Sequence, residues 1–349
     1  MRRPCPPILR HQKGYILALN IVVLAVMLAG ATYIGQRMSL AKVLARAEQQ
    51  REQDDVALES ARAKVLFLLA TVPRGKHGLG NATQTVALDG RYYRVANNIL
   101  VSLQDTYGLI GANTVDFEGN RRGLIERLLG SYGLDNIGVN RLTDILLDYR
   151  DVDDFRRING AEREQYRSAG QESLIRNGDL LTPIELGRVL SWSDNPQLWN
   201  DDPVTDYVHI QHSSLFNPNS ASWRALVAMT GIPHEIARNL VERRQRGEIA
   251  DISRLVFSGD INDPFGLGSR VSLFPSASIQ VTLRKENSTW GYRMLATHTP
   301  SSRASPWHIE YAHKISLKPL ISPLDKVPLL PEAAMLRDSG GSNQIQLPF

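Results

Sequence analysis

Residues 13–35 read Lys13-Gly14-Tyr15-Ile16-Leu17-Ala18-Leu19-Asn20 followed by IVVLAVMLAGATYIG, with no charged side chain from Tyr15 to Gly35. A helix rising about 1.5 Å per residue carries such a run across a hydrocarbon core of about 30 Å. In front of it stand Arg2, Arg3, Arg10 and Lys13 with no acidic residue, so the positive-inside bias keeps this leader in the cytoplasm and exports the rest. The chain has 40 basic and 36 acidic residues. Setting aside the four in the leader leaves 36 of each sign, so the formal charge of +4 is the leader's own. A neutral exported part removes the electrostatic basis for a nucleic-acid reading.

Three processing routes fit this N-terminus. A secretory signal would end at the small residues Ala29-Gly30-Ala31, although the apolar run is long for one. An uncleaved anchor fits the length but leaves the Lys13-Gly14 junction without a purpose. Cleavage after Gly14 would make Tyr15 the new N-terminus and keep the span attached, in the manner of a type IV pilin-like signal.

Working outward, Leu40, Val43, Leu44 and Ala47, then Leu58, Ala61, Val65 and Leu68, recur at helical spacing with charges between them, and Pro73 stops the pattern. Continuous from Tyr15, such a helix is on the order of 80 Å long. The polar stretch Gln49 to Asp55 prevents the three clean heptads of a coiled coil. Residues 75–80 lack the GK[ST] of a phosphate loop and read as a linker. Residues 83–103 alternate around Asp89-Gly90, which predicts an antiparallel hairpin turning there.

Helical punctuation then runs from 104 to 270, with helices expected near 120–131, 138–150, 160–170 and 182–192. Within it, Thr230-Gly231-Ile232-Pro233 joins two further helices, and 217–257 resembles a helix-hairpin-helix unit. DNA-binding hairpins of that kind offer free glycine amides to phosphate. Pro233 removes such a donor, which favours a packing role. Strand alternation returns over 271–313, at Val271–Phe274, Ser278–Leu283, Tyr292–Thr297 and His308–His313. The tail 314–349 has no sustained period and reads as flexible or lightly docked.

Four phrases in the helical block carry a resemblance: Asp105-x-x-Gly108-Leu109-Ile110; Leu147-Asp148-Tyr149-Arg150-Asp151-Val152-Asp153; Asn159-Gly160-Ala161-Glu162 with Tyr166; and Arg176-Asn177-Gly178 before Leu181-Thr182-Pro183-x-Glu185-Leu186. With the Gly14-Tyr15 junction, they resemble general secretion pathway protein K, the large minor pseudopilin family of type II secretion systems. Tyr149 and Arg150 depart from that family's usual Asp-Trp-x-Asp string. Pilin-like subunits usually carry Glu at the fifth position after the cut, and protein K typically lacks it. Leu19 stands there, as suits a subunit with no neighbour ahead whose amine would pair a buried carboxylate.

The resemblance implies an α+β fold: a pilin-like helix (15–35 in the membrane, 36–72 outside it) on an antiparallel sheet from 83–103 and 271–313, with an inserted all-α domain. It implies a non-enzymatic subunit at a pseudopilus tip, in the inner membrane with its bulk in the periplasm. Prepilin peptidase would cut after Gly14 and Tyr15 would be N-methylated, while Tyr15, Leu19, Asn20, Leu24 and Leu28 line the assembly helix. Partners implied are the minor pseudopilins of the I, J and H types, the G-type major pseudopilin, the inner-membrane assembly platform, secreted substrates and the secretin, and no nucleic acid.

The family also binds calcium, for which Asp148, Asp151 and Asp153, and Asp194, Asp201 and Asp202, are candidate ligands, although neither group forms a twelve-residue loop. Arg150, Arg156 and Arg157 would neutralise the first group without metal. Family members often carry a disulfide in the helical domain, whereas Cys5, in the leader, is the single cysteine here. His209 and His212 read as surface histidines, since no placed carboxylate or cysteine completes a metal set. No nucleophile triad or nucleotide loop occurs. A membrane-tethered DNA-binding protein and an inert anchored scaffold remain the competing readings.

Overall fold

The computed structural model describes residues 15–81, 84–96, 98–114, 122–200, 202–247, 251, 270–318 and 326–337. The leader with Gly14 and Cys5, and Asp201, lie outside them. Two compact units are resolved, Met1–Ala57 and Leu58–Phe349. Helix α1, Tyr15–Thr71, contains the whole described part of the first and the opening turns of the second. In the first unit its apolar side chains, Leu24 and Leu28 among them, are exposed, and Thr32 returns its hydroxyl to Leu28 O at 3.0 Å.

In the second unit, the turns from Leu58 bury Ala61, Val65, Leu68 and Leu69, and Val72 follows on the same stripe. Small strands β1 (Arg74–Gly75), β2 (Gly78–Gly80) and β3 (Thr85–Val86) come next, where the sequence reads as a linker. The main sheet is formed by β4 (Asp89–Ala96), β5 (Ile99–Asp105), β8 (Ser278–Lys285), β9 (Trp290–His298) and β10 (Trp307–Ser316), in the order β10-β9-β8-β5-β4. Every neighbouring pair is antiparallel. The early and late strands meet where Val101 lies opposite Leu283 and Leu103 opposite Val281. That junction closes the sheet around everything inserted between residues 105 and 278.

Both faces of β5 and β8 are buried, and alternation gives the faces different chemistry. One carries Val101, Leu103, Ile279, Val281, Leu283 and Met294 and receives α1, with Arg62 stacked on Tyr292. The other carries Ser102, Gln104, Ser278, Gln280, Thr282, Arg284 and Arg293, all buried and polar, and the helical region docks there by hydrogen bonds. Gln104 Nε2 donates to Ser220 O at 3.0 Å, Gln211 Nε2 to Ser278 Oγ at 2.6 Å, and Arg293 pairs with Asp206 at 2.6 Å.

The helical region has its own core. Helices α2 (Arg122–Gly130), α3 (Asn136–Arg150), α4 (Arg163–Ser168), α5 (Trp223–Thr230) and α6 (His234–Gln245) surround Leu128, Leu146, Tyr149, Tyr166, Trp192 and Phe216, with the short parallel pair β6 (Ile110–Gly111) and β7 (Val208–His209) beside them. Gly231, at φ 73°, ends α5 in the left-handed conformation that favours glycine.

Several expectations are corrected. The hairpin turns at Asn98 (φ 73°) instead of Asp89-Gly90, which lie inside β4; Gly90 (φ 83°) sits at a bulge, the other common use of an αL glycine. The helix expected over 182–192 is a short 3-10 turn, Pro183–Arg188. Val271 makes an isolated bridge to Phe216 and does not extend into a strand. Of the two readings of the tail, the docked one holds for its described part: Arg94 exchanges backbone hydrogen bonds with Pro328 and Leu330, and α7 (Ala333–Arg337) accepts from Asn81 through Met335 O and Leu336 O.

One carboxylate ties these parts together. Asp105, fully buried at the end of β5, accepts from Tyr107 N (3.1 Å), Ser276 N (2.9 Å), Asn217 Nδ2 (3.1 Å) and Ser220 Oγ (2.7 Å). Burial pushes its carboxyl above the ordinary range, against the downward pull of these donors. Replacing Asp105 by Ala strands buried donors on three chain segments, each costing about 1–3 kcal/mol before relaxation. The expected loss is about 3 kcal/mol, read as a lowered thermal midpoint of the detergent-solubilised chain, with Asp105→Asn losing less because it keeps one acceptor oxygen.

Candidate functional site

Two features carry functional chemistry. The first is α1 itself. It is the one described helix long and apolar enough to cross a membrane. Tyr15, Leu19, Leu24 and Leu28 are all at least half exposed, so this surface needs lipid or other helices to cover it.

The second is an acidic cluster at the end of α3. Helical spacing sets Asp144 and Asp148 on one face, and Asp151 caps the helix with its backbone N–H on Leu147 O. The chain then turns back so that Arg157 Nη1 reaches Asp148 Oδ1 at 2.5 Å and Asp151 Oδ2 at 2.6 Å, while Asn159 donates to Asp144 through N and Nδ2. Asp144 also pairs with Arg122. Gly160 passes so close that a Cβ there would lie 1.9 Å from Asp148 Oδ2, which explains the Asn159-Gly160 phrase sterically.

Glu162 completes the cluster, with one oxygen from each of Asp148, Asp151 and Glu162 lying within 4.8 Å of the others. Glu162 is only 5% exposed and sits at the N-cap of α4 facing Gln165, whose Oε1 accepts from Glu162 N at 2.9 Å; neither Oε1 nor Oε2 of Glu162 makes a full hydrogen bond, and Asp151 Oδ1 is equally unpartnered. Three carboxylates against one guanidinium leave two formal negative charges below the surface. Burial, reinforced by Asp148 and Asp151, pushes Glu162 up to about 7. Burial also raises Asp148 and Asp151 in spite of Arg157.

Of the acids singled out in the sequence that are among the described residues, the structure brings together Asp148 and Asp151. Asp153 is exposed and accepts from Phe155 N at 2.8 Å, Asp194 is exposed, and Asp202 binds Arg224 at 2.8 Å and the Tyr207 hydroxyl. Sequence reasoning missed Glu162, although it stands in the quoted Asn159-Gly160-Ala161-Glu162 phrase. The two histidines part company as well. His209 is fully buried in β7 and pushed down to about 4 by that burial, while His212 is exposed against Asp179 at 3.0 Å. His209 is therefore not the surface residue expected, because β7 lies inside the junction with β6.

The raised pKa of Glu162 gives a signed pH dependence. Its ordinary value is 4.5 and its folded value about 7. Between them the folded chain holds a proton that the unfolded chain releases, so this group's contribution to stability falls as pH rises through that window. Thermal midpoints from about pH 5 to about pH 8 should decline in the wild type, and Glu162→Gln should flatten the decline and be the more stable chain at the alkaline end.

Residues 100–197 match the family model described as type II secretion system (T2SS), protein K. A chain of the crystal structure of the GspK-GspI-GspJ complex from the enterotoxigenic Escherichia coli type 2 secretion system shares the fold, with a TM-score of 0.53 at 14% identity over 78% of this chain and 99% of that one. A search of curated proteins gave no match. The matched segment runs from β5 to the turn after Pro196 and contains Asp105, α3 and the whole acidic cluster. With that segment matched and the fold shared, the chain is similar to type II secretion system protein K over residues 100–197 and in its overall fold.

Proposed function

We propose that the chain is the minor pseudopilin at the tip of a type II secretion pseudopilus, anchored in the inner membrane with its bulk in the periplasm. There it helps start pseudopilus assembly and contributes to export of folded proteins through the outer membrane. The observation that carries this is the presence in one chain of a protein K helical region and an exposed apolar helix with Leu19 at the fifth position after Gly14. α1 stores the subunit in the bilayer, and cleavage after Gly14 by prepilin peptidase releases it for assembly with Tyr15 N-methylated. In the filament, neighbouring helices replace lipid around the apolar surface. A carboxylate at position 19 would need a cation from a subunit ahead, and Leu19 needs none. The helical region, with a core of its own, is too bulky to fit between stacked subunits, which puts it at the end.

The partners that suit this position are the I and J types, as in the matched complex, with the H and G types below. The assembly platform, secreted substrates and secretin are further contacts. Co-expression of the full chain with prepilin peptidase and the I- and J-type pseudopilins tests both parts of the reading. The expected outcome is a co-purifying complex in which this chain begins at N-methylated Tyr15. An intact Met1 or a start at Thr32, with no complex at about micromolar concentration, would mean a static anchor or ordinary export.

We read α5 and α6 as a helix-hairpin-helix-like packing module. Gly231 N is engaged by Val227 O at 2.9 Å, Ile232 N by Thr230 Oγ1 at 3.4 Å, and Pro233 has no N–H, so these hairpin positions offer no free amide to a phosphate. This disfavours the DNA-binding alternative.

For the acidic cluster we propose calcium as an occupant that competes with Arg157. The unpartnered oxygens of Asp151 and Glu162 and the excess of carboxyl groups over Arg157 suit a hard divalent cation, which would displace the proton on Glu162 and draw further ligands from Asp148 and water. Calcium should raise the thermal midpoint over chelator in the wild type and leave Glu162→Gln unmoved. An unchanged wild-type midpoint means that Arg157 alone serves the cluster.

A further inference from the structure

The outer strands of the main sheet are β10 and β4, and the tail runs along β4. Arg94 N donates to Pro328 O and Leu330 N to Arg94 O, both at 2.8 Å, which sets Leu329 beside Arg94 in a parallel pair. Both backbone groups of Arg94 thus face this edge, and strand alternation turns those of Tyr92 the same way. The next parallel rung would bring an N–H from position 328 to Tyr92 O, and Pro328 has none. Among the described residues the tail bonds to β4 at the Arg94 rung alone. Two buried leucines do the rest of the holding, Leu330 and Leu336, the second so near Gly80 that a Cβ there would lie 2.9 Å from its Cδ2. Asn81 Nδ2 adds bonds of 3.2 and 3.3 Å to Met335 O and Leu336 O, and Arg337 stacks over Phe67.

We propose that the β4 edge is a docking groove for an extended segment of a different protein, and that residues 326–337 are a proline-weakened strap which such a segment displaces. The chemistry of the occupant follows from what the strap supplies and what it lacks. It supplies an extended backbone parallel to β4 with an apolar side chain at the place of Leu330, so the incoming segment is extended and apolar there. It lacks the N–H opposite Tyr92 O, so a segment with any residue but proline at that position makes one rung more than the strap. Attachment to the same chain gives the strap a high effective concentration, and the missing rung offsets that advantage. The strap therefore turns away poorly fitting strands, which a bare edge would accept, and yields to one that fits better. By the same alternation Pro331 has its nitrogen on the side away from β4, where it bars a further strand. The groove shares no residue with the membrane-spanning stretch or the acidic cluster and does not rest on the tip assignment.

Fluorescence anisotropy with the full chain in detergent tests this. The probe is the labelled peptide Lys-Val-Ala-Leu-Leu-Ala-Glu-amide, the sequence of residues 326–332 with both prolines replaced by alanine. It should bind saturably with a Kd of about 100 μM or tighter, and the parent peptide with both prolines about tenfold more weakly. Pro328→Ala in the chain gives the strap its missing N–H. That variant should bind the probe about tenfold more weakly and exchange the amide hydrogens of Arg94 and Leu330 more slowly. Truncation after Asp325 removes the competitor and should tighten probe binding about tenfold. Where the truncated chain fails to fold, the full-length Pro328→Ala chain still decides the matter. Absence of saturation by about 1 mM, or a probe affinity that Pro328→Ala leaves unchanged or tightens, overturns the proposal. A chain that is dimeric by native mass spectrometry and turns monomeric with the probe would seat a second copy's tail in the groove, which overturns the assignment to a different protein.

Discussion

A five-stranded sheet with both faces covered has to find two different coverings, and the alternation of β5 and β8 decides which goes where. The face with Val101, Leu103, Val281 and Leu283 has only hydrophobic burial to offer and takes the amphipathic end of α1. The face with Gln104, Ser278, Thr282 and Arg293 can be covered only by groups that return its hydrogen bonds. Greasy helices would leave those side chains stranded, so the helical region presents Ser220 O, Gln211, Thr205 O and Asp206 to them. Asp105 stands where strand gives way to insertion, and its four donors come from both sides of that seam. The inserted region is thereby fixed to the sheet by directional bonds, which set its position more narrowly than apolar contact would.

How much of this the sequence discloses depends on the range of the interaction. The span from Tyr15, the stop at Pro73, α2, α3 and the strands β8 to β10 are local patterns, and each is legible as periodicity. Asp89-Gly90 misled because an αL glycine serves a bulge as well as a turn, and only the pairing partner, Gln104 opposite Asp89, distinguishes the two. β1 to β3 are too short to show a period. The hold on residues 328–336 depends on Arg94 and Asn81, far away in sequence. His209 looked like surface because its burial comes from pairing with β6.

The acidic cluster shows the same division. Asp148 and Asp151 are adjacent in any helical reading, but Glu162 joins them only because the chain reverses through Asn159 and Gly160, where the carboxylate of Asp148 occupies the space of a side chain. The sharing of Asp89 by Arg91 and Arg244 was invisible for a stronger reason. Its charges come from β4 and α6, and neither element is unusual alone. The chain beyond residue 14 is formally neutral, yet its interior holds three clustered carboxylates on one guanidinium and, elsewhere, one carboxylate held by two guanidinium groups. Net charge describes the surface a partner meets at long range and says nothing about such pairs.

These internal imbalances bear on what α1 can do. A helix with an uninterrupted apolar face exchanges lipid for neighbouring helices at little cost, since lipid tails and leucine side chains are equally apolar and no desolvation opposes the exchange. Leu19 keeps that exchange free of any charge requirement. In the proposed filament, specificity for one place must therefore come from elsewhere in the chain. The groups that can supply it are those whose bonding is incomplete in the isolated subunit, because only they gain by meeting a complementary partner. Among the described residues, Glu162 is such a group, a buried carboxylate that gains from a cation or a proton.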